Sequence, residues 1–131
     1  MANKEARLRA SGIHFTNPFR SVVISMAEPS LEDTMPDIER LTWAVEETLG
    51  VQKVEVPFRV MVKLAATLRE FQWTVCVKGE LAGDTFRCME VCGPEDTQIV
   101  GCAIDIGTTT VAMVLTDLVT GKLLAKGSSG N

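Results

Sequence analysis

At 131 residues the chain can form one ordinary domain, or one small domain with a piece of another, and 46% hydrophobic residues are enough to fill a core. Seventeen acidic against thirteen basic side chains leave a net charge of -4, which repels nucleic-acid backbones and anionic lipid. The one basic concentration, Lys4, Arg7 and Arg9, reads as a solvated leader, no signal-peptide core opens the sequence, and no run approaches the roughly 18 apolar residues of a membrane span. A cytoplasmic protein is therefore expected, with neither nucleic acid nor membrane as partner.

Residues 1–19 read as a linker punctuated by Ser11-Gly12 and Asn17-Pro18, with His14, the sole histidine, as an ordinary linker residue. SVVISMA (21–27) predicts a strand ended by Pro29. In PSLEDTMPDIERLTWAVEETLG, Ser30 with Asp33 has capping-box spacing, Thr34 before Met35-Pro36 offers a second start, and Gly50 can end the helix in the left-handed conformation. Ile38, Leu41, Val45 and Leu49 form its inner face, and Glu39, Glu46 and Glu47 an acidic, solvated outer one. A second helix over 57–70 is expected to bury Phe58, Met61, Leu64, Ala65 and Leu68. WTVCVK (73–78) and TFRCMEV (85–91) alternate as strands around a turn containing Gly79, Gly83 and Asp84. The order predicts a small α+β unit over 20–100, a sheet with two covering helices, left through CGPEDTQ.

Cys76, Cys88, Cys92 and Cys102 raise disulfides or a metal, but three of the four lie in strand-like apolar runs, so buried structural thiols are expected. Cys88 and Cys92, four apart, match neither paired zinc-ribbon spacing nor a plant-type iron–sulfur pattern.

From Ile99 the pattern becomes three short strands, IVGCAIDIG, VAMVLTDL and LLAKG, the second turn marked by Thr120-Gly121-Lys122. The near-continuous apolar character of the first two predicts burial on both faces of a larger sheet, whose remainder would lie outside these residues. Within AIDIGTTTVAMVL (103–115), Asp105 at a strand end is placed to hold a hydrated Mg2+, Gly107 to turn with positive φ, and Thr108, Thr109 and Thr110 to offer N–H groups and hydroxyls to phosphates. A plain hairpin turn, with β-favouring threonines and a turn-capping carboxylate, accounts for the same residues equally well.

The longer pattern, small-apolar-Asp-apolar-Gly-Thr-Thr-Thr, a strand, a T-G-K turn and a third strand, resembles the first phosphate loop of the acetate kinase, sugar kinase, Hsp70 and actin superfamily. With EPSLEDTMPDIERL (28–41), VPFRVMVKLAATLRE and FQWTVCVK upstream, residues 20–131 resemble the reductive activators of corrinoid-dependent proteins. That resemblance implies a middle α+β domain over 20–100, followed by the opening strands (101–131) of an incomplete ribonuclease H-like, actin/Hsp70/sugar-kinase-like nucleotide-binding domain. It also implies ATP and Mg2+ as cofactors, with Asp105, Gly107, Thr108, Thr109 and Thr110 on the nucleotide phosphates and Asp105 on the metal; it names no catalytic base. The implied partner is a corrinoid protein of a methyltransferase system, restored from Co(II) to Co(I), and the full-length family protein is expected to be a homodimer.

No ferredoxin cysteine set precedes residue 20, so the family's [2Fe-2S] cluster is not expected in this chain. A fragment inactive alone, from a parent ATPase coupled to electron transfer, is the expectation. A 2-hydroxyacyl-CoA dehydratase activator, whose family generally begins at the phosphate loop, and a non-catalytic interaction module are the alternatives.

Overall fold

Two hydrogen-bonded sheets succeed one another along the chain, described over residues 16–130 in a computed structural model. His14 and the basic leader lie outside the described residues. The first unit runs β1 (Phe19–Ser25), α1 (Asp37–Leu49), β2 (Lys53–Glu55), α2 (Phe58–Glu70), β3 (Thr74–Ala82) and β4 (Thr85–Cys92); β5 (Val100–Ile106), β6 (Thr110–Asp117) and β7 (Leu123–Gly130) follow. The first sheet has the order β1-β3-β4-β2, antiparallel except for β2 beside β4, and the second is an antiparallel meander, β5-β6-β7. The expected α+β class, with two helices and a sheet followed by three strands, holds.

The first helix starts later than its capping-box spacing suggests. Ser30 Oγ accepts from the Asp33 N–H at 3.1 Å, but this closes a local turn, and α1 begins after Pro36 without a side-chain cap. Gly50 ends it as expected, at φ 66 with its N–H on the Glu46 carbonyl. Leu41 and Val45 are fully buried, and Ile38 and Leu49 pack against the same cluster. Asp33 serves the helix from outside: Arg40 Nη1 donates to its carboxylate at 2.7 Å, and that hydrogen bond, followed by the Met35 N–H, holds the Asp33 carboxyl below its ordinary value of 3.8. The buried Arg40 guanidinium and that of Arg69 lie 5.9 and 5.2 Å from the Trp73 ring centroid. Trp73 and Gln72 both take positive φ, 64 and 50, where α2 ends without a glycine, and the buried Trp73 indole in the core anchors that sharp exit.

The second helix buries Leu64 and Leu68 as its sequence suggests, but its inner line continues through Val60 and leaves out the other three expected residues. Val60, Leu64 and Leu68, spaced i, i+4, i+8, are buried, whereas Phe58, Met61 and Ala65 face outward, with Phe58 76% exposed. Both lines are apolar, and only the one containing Val60 aligns with Leu64 and Leu68 to meet Phe86, Val75 and Val77 in a continuous core. β2 was not anticipated, because three residues carry too little alternation to read as a strand.

Gly79, expected in the β3–β4 turn, lies inside β3, where a Cβ would run into the Arg87 carbonyl oxygen and sit 2.6 Å from Phe86 Cζ; Gly83, at φ 61, makes the turn. The register slips between Lys78, opposite Glu90, and Gly79, opposite Cys88, leaving Met89 as the extra residue of a bulge. The bulge reverses the alternation of β4. Cys88 joins the core, whereas Glu90 and Cys92 share the other face with Lys78 and Cys76, their cross-strand partners.

The meander is more exposed than its sequence suggests, with Val100, Ile104 and Ile106 at 53, 59 and 74%. Among the described residues no helix or second sheet packs broadly over it, so the apolar strands expected to be interior lie open. It is nevertheless tied to the chain entering the first unit: Asn17 Nδ2, just before β1, donates to the Leu118 and Val119 carbonyls at 2.8 and 2.9 Å.

The face assignment of α2 has a measurable consequence. Leu64→Ala should cost about 2–5 kcal/mol in urea unfolding, whereas Met61→Ala, on the outward line, should stay within about 0.5 kcal/mol. Equal losses would contradict it.

Candidate functional site

Asp105 occupies the penultimate position of β5, directly opposite Ala112 in β6, which in turn faces Ser128 in β7. Directly paired residues share a sheet face, so the carboxylate stands beside two small side chains and is exposed. Thr110 opens β6 two residues before Ala112 and projects on that same face. Ile106 pairs with Val111, and the Gly107 N–H donates to the Thr110 carbonyl at 2.8 Å, which leaves Thr108 and Thr109 as a two-residue connection. The structure thus brings all five sequence-predicted residues, Asp105, Gly107, Thr108, Thr109 and Thr110, to one exposed hairpin tip.

Gly107 differs from expectation in conformation. It is not among the positive-φ glycines, Gly50, Gly83 and Gly121, and neither Thr108 nor Thr109 takes positive φ. Its small size matters because a Cβ would lie 3.0 Å from the Thr110 carbonyl oxygen, tighter than ordinary contact, where the hairpin closes. Close approach, not handedness, makes glycine suitable here.

The donor set at this tip is made of oxygens: one carboxylate without a cationic partner among the described residues, and threonine hydroxyls on an exposed bend. That chemistry fits Mg2+, which keeps most of its waters and touches protein through one or two carboxylates. Asp105 would hold the hydrated ion, and the threonine bend would take phosphate oxygens.

Asp117, a residue the sequence reading passed over, organises the other end of the meander. Its buried carboxylate accepts from the Val119 N–H and the Thr120 hydroxyl, both at 2.9 Å, and these bonds, the Val119 N–H foremost, hold its carboxyl below 3.8. The T-D-L-V-T-G-K spacing, an aspartate two and three residues before its donors, is an Asx-turn signal that could have found it. Its partners are its own turn and the Ile99 backbone at the entry to β5, so its role is structural.

A second cluster also escaped the sequence. Glu90, Cys92 and Asp96 bring their ligand atoms within 4.8 Å of one another. The cation there is already supplied: buried Lys78 Nζ lies 2.7 Å from Asp96 and 3.4 Å from Glu90. Burial opposes the ammonium charge, but the Asp96 hydrogen bond and the neighbouring Cys92, Glu90 and Asp96 outweigh it and raise the Lys78 pKa above 10.5. Because of the Met89 bulge, Cys88 and Cys92 lie on opposite faces of the sheet, and burial pushes both thiols up to about 11. Cys76 and Cys88 are buried as expected; Cys102 is exposed, because nothing among the described residues covers its face of β5.

Fold and site together define a two-part α+β protein in which a threonine-rich hairpin with one carboxylate is displayed on a meander tied through Asn17 to the chain entering a helix-covered sheet. A family model described as the RACo linker region matches residues 9–91, taking in the first sheet and both helices, and one described as the RACo middle region matches 100–131, the meander. A solved structure described as a reductive activator for corrinoid, iron-sulfur protein is similar with a TM-score of 0.66 and 27% sequence identity, over 96% of this chain and 22% of that one. No curated protein matches. The linker-region match spans most of the chain, and the chain belongs to that family. It corresponds to only 22% of the length of the solved relative.

The thiol environments predict selective reactivity. At mildly alkaline pH a disulfide reagent should modify one cysteine rapidly, and Cys102→Ser should remove that fast phase, while Cys88 and Cys92 stay slow until the pH approaches 11. A fast phase that survives Cys102→Ser would contradict the assignment.

Proposed function

We propose that this chain is the part of an ATP-dependent reductive activator of corrinoid proteins that carries the first phosphate loop and a unit that docks the corrinoid protein or braces the nucleotide domain. The observation that carries the reading is the β5–β6 hairpin, which places the Asp105 carboxylate and the Thr110 side chain on one open face beside Ala112. Family membership and the printed description of the solved relative support the choice of reaction. The match over residues 9–91 favours this reading over a dehydratase activator, whose family generally begins at the phosphate loop.

In this reading Asp105 holds hydrated Mg2+, Gly107 closes the hairpin, and Thr108, Thr109 and Thr110 orient the polyphosphate. The ion supplies charge neutralisation at the phosphates. In the full-length protein, a [2Fe-2S] domain outside these residues would supply the single electron that takes the corrinoid cobalt from Co(II) to Co(I), and ATP bound at this loop would supply the driving force. Phosphoryl transfer depends on several loops acting together, so the 131-residue chain alone is not expected to turn over ATP.

In a version extended to the length of the solved relative, Mg-ATP should shift the backbone amides of residues 105–110 in an NMR titration. Asp105→Ala should weaken Mg-ATP binding on the order of tenfold or more, the equivalent of about 1.4 kcal/mol. Unshifted amides, or undiminished affinity, would leave a non-catalytic interaction module; sustained hydrolysis by the chain alone would overturn the division of labour.

A further inference from the structure

The outward line of α2 is used by neither the core nor the hairpin. Phe58, Val62 and Met61 are 76, 60 and 42% exposed, and Ala65 continues the same face at i+3 and i+4 spacing. An exposed apolar stripe of this kind marks an interaction surface. It runs into a cleft of about 540 Å³ between α2, the end of β4 and the entry to β5, with Val62, Met89, Ile99 and Val100 among its walls.

Two cations, Arg59 and Lys63, line this cleft. Arg59 donates only to the Met89 carbonyl, at 3.4 Å, and neither cation has a carboxylate partner among the described residues. Lys78, which also reaches the cleft, is already neutralised by Asp96 and Glu90. On a chain of net charge -4, an apolar stripe with two uncompensated cations along its cleft side selects an acidic occupant, and the basic leader of this chain has the wrong sign. The surface extends along a 13-residue helix, roughly 20 Å, which suits a protein segment better than a small molecule.

We propose that the Phe58–Val62 side of α2 and the adjoining cleft dock an acidic segment of the corrinoid protein, its apolar side chains seated on Phe58 and Val62 and its carboxylates on Arg59 and Lys63. The identity of the partner rests on the activator reading; the chemistry of the surface does not. These four side chains are exposed, so substituting them leaves the core intact.

The test is calorimetric titration of the chain with a corrinoid iron–sulfur protein. Phe58→Ala and Val62→Glu should each weaken binding roughly tenfold or more, as loss of an interface anchor does. Lys63→Glu should weaken it several-fold and flatten its dependence on salt, while Glu47→Lys on α1 should leave it unchanged; circular dichroism confirms that each variant is folded. Unchanged affinity in the Phe58, Val62 and Lys63 variants, or no binding by the parent chain, overturns the docking proposal. If the hairpin amides of the extended protein still answer Mg-ATP, that failure leaves the activator reading standing; loss of the nucleotide response with docking intact has the opposite meaning.

Discussion

The 2.8 Å hydrogen bond from the Gly107 N–H to the Thr110 carbonyl closes the β5–β6 connection to two residues, and the arrangement of the hairpin tip depends on that closure. It sets the register in which Asp105 faces Ala112, and so decides which face of the sheet carries the carboxylate and Thr110. A slip of one residue would send Asp105 to the opposite face. The closure is tightest without a Cβ at 107, because that atom would sit 3.0 Å from the Thr110 oxygen, which would have to shift by a few tenths of an ångström. At the far end of the meander the buried Asp117 fixes the β6–β7 turn, and Asn17 fastens that turn to the chain entering β1. The hairpin is therefore held at its base by the chain entering the first unit while its tip stays open.

Electrostatics divide the surface in a way that net charge alone conceals. Lys78 is a cation consumed internally, neutralised by Asp96 and Glu90 over a face of the sheet that also holds Cys92. Arg40 and Arg69 are similarly committed, to Asp33 and Asp37 and to the Trp73 ring. Arg59 and Lys63 carry no such commitment among the described residues, so the positive potential beside α2 remains available within an acidic protein. Burial raises the thiols of Cys88 and Cys92, and Cys88 packs within the core cluster.

Much of this organisation was legible in the sequence where local chemistry dominates. The Gly50 stop of α1, the alternating strands on either side of Gly83-Asp84 and the three strands of the meander follow from periodicity and turn residues. Tertiary effects explain the departures. Helix α2 carries two apolar lines, and the choice between them depends on the sheet it meets, which is why Phe58 and Met61 were taken for core. The Met89 bulge, which separates Cys88 from Cys92, leaves no mark in an otherwise regular alternation, and Gly79 resembles a turn residue until the Arg87 backbone is seen against it. The candidate loop was found by its residue types, yet the reason for its glycine was misread: steric closeness and positive φ both select glycine, and only coordinates separate them.

The measurement that bears most directly on this account is a structure of the extended protein with Mg2+ and a non-hydrolysable ATP analogue. The account requires the β- and γ-phosphates within hydrogen-bonding distance of the bend formed by Thr108, Thr109 and Thr110, with the ion's water shell against Asp105. A nucleotide bound elsewhere, with this hairpin facing only solvent, would contradict it.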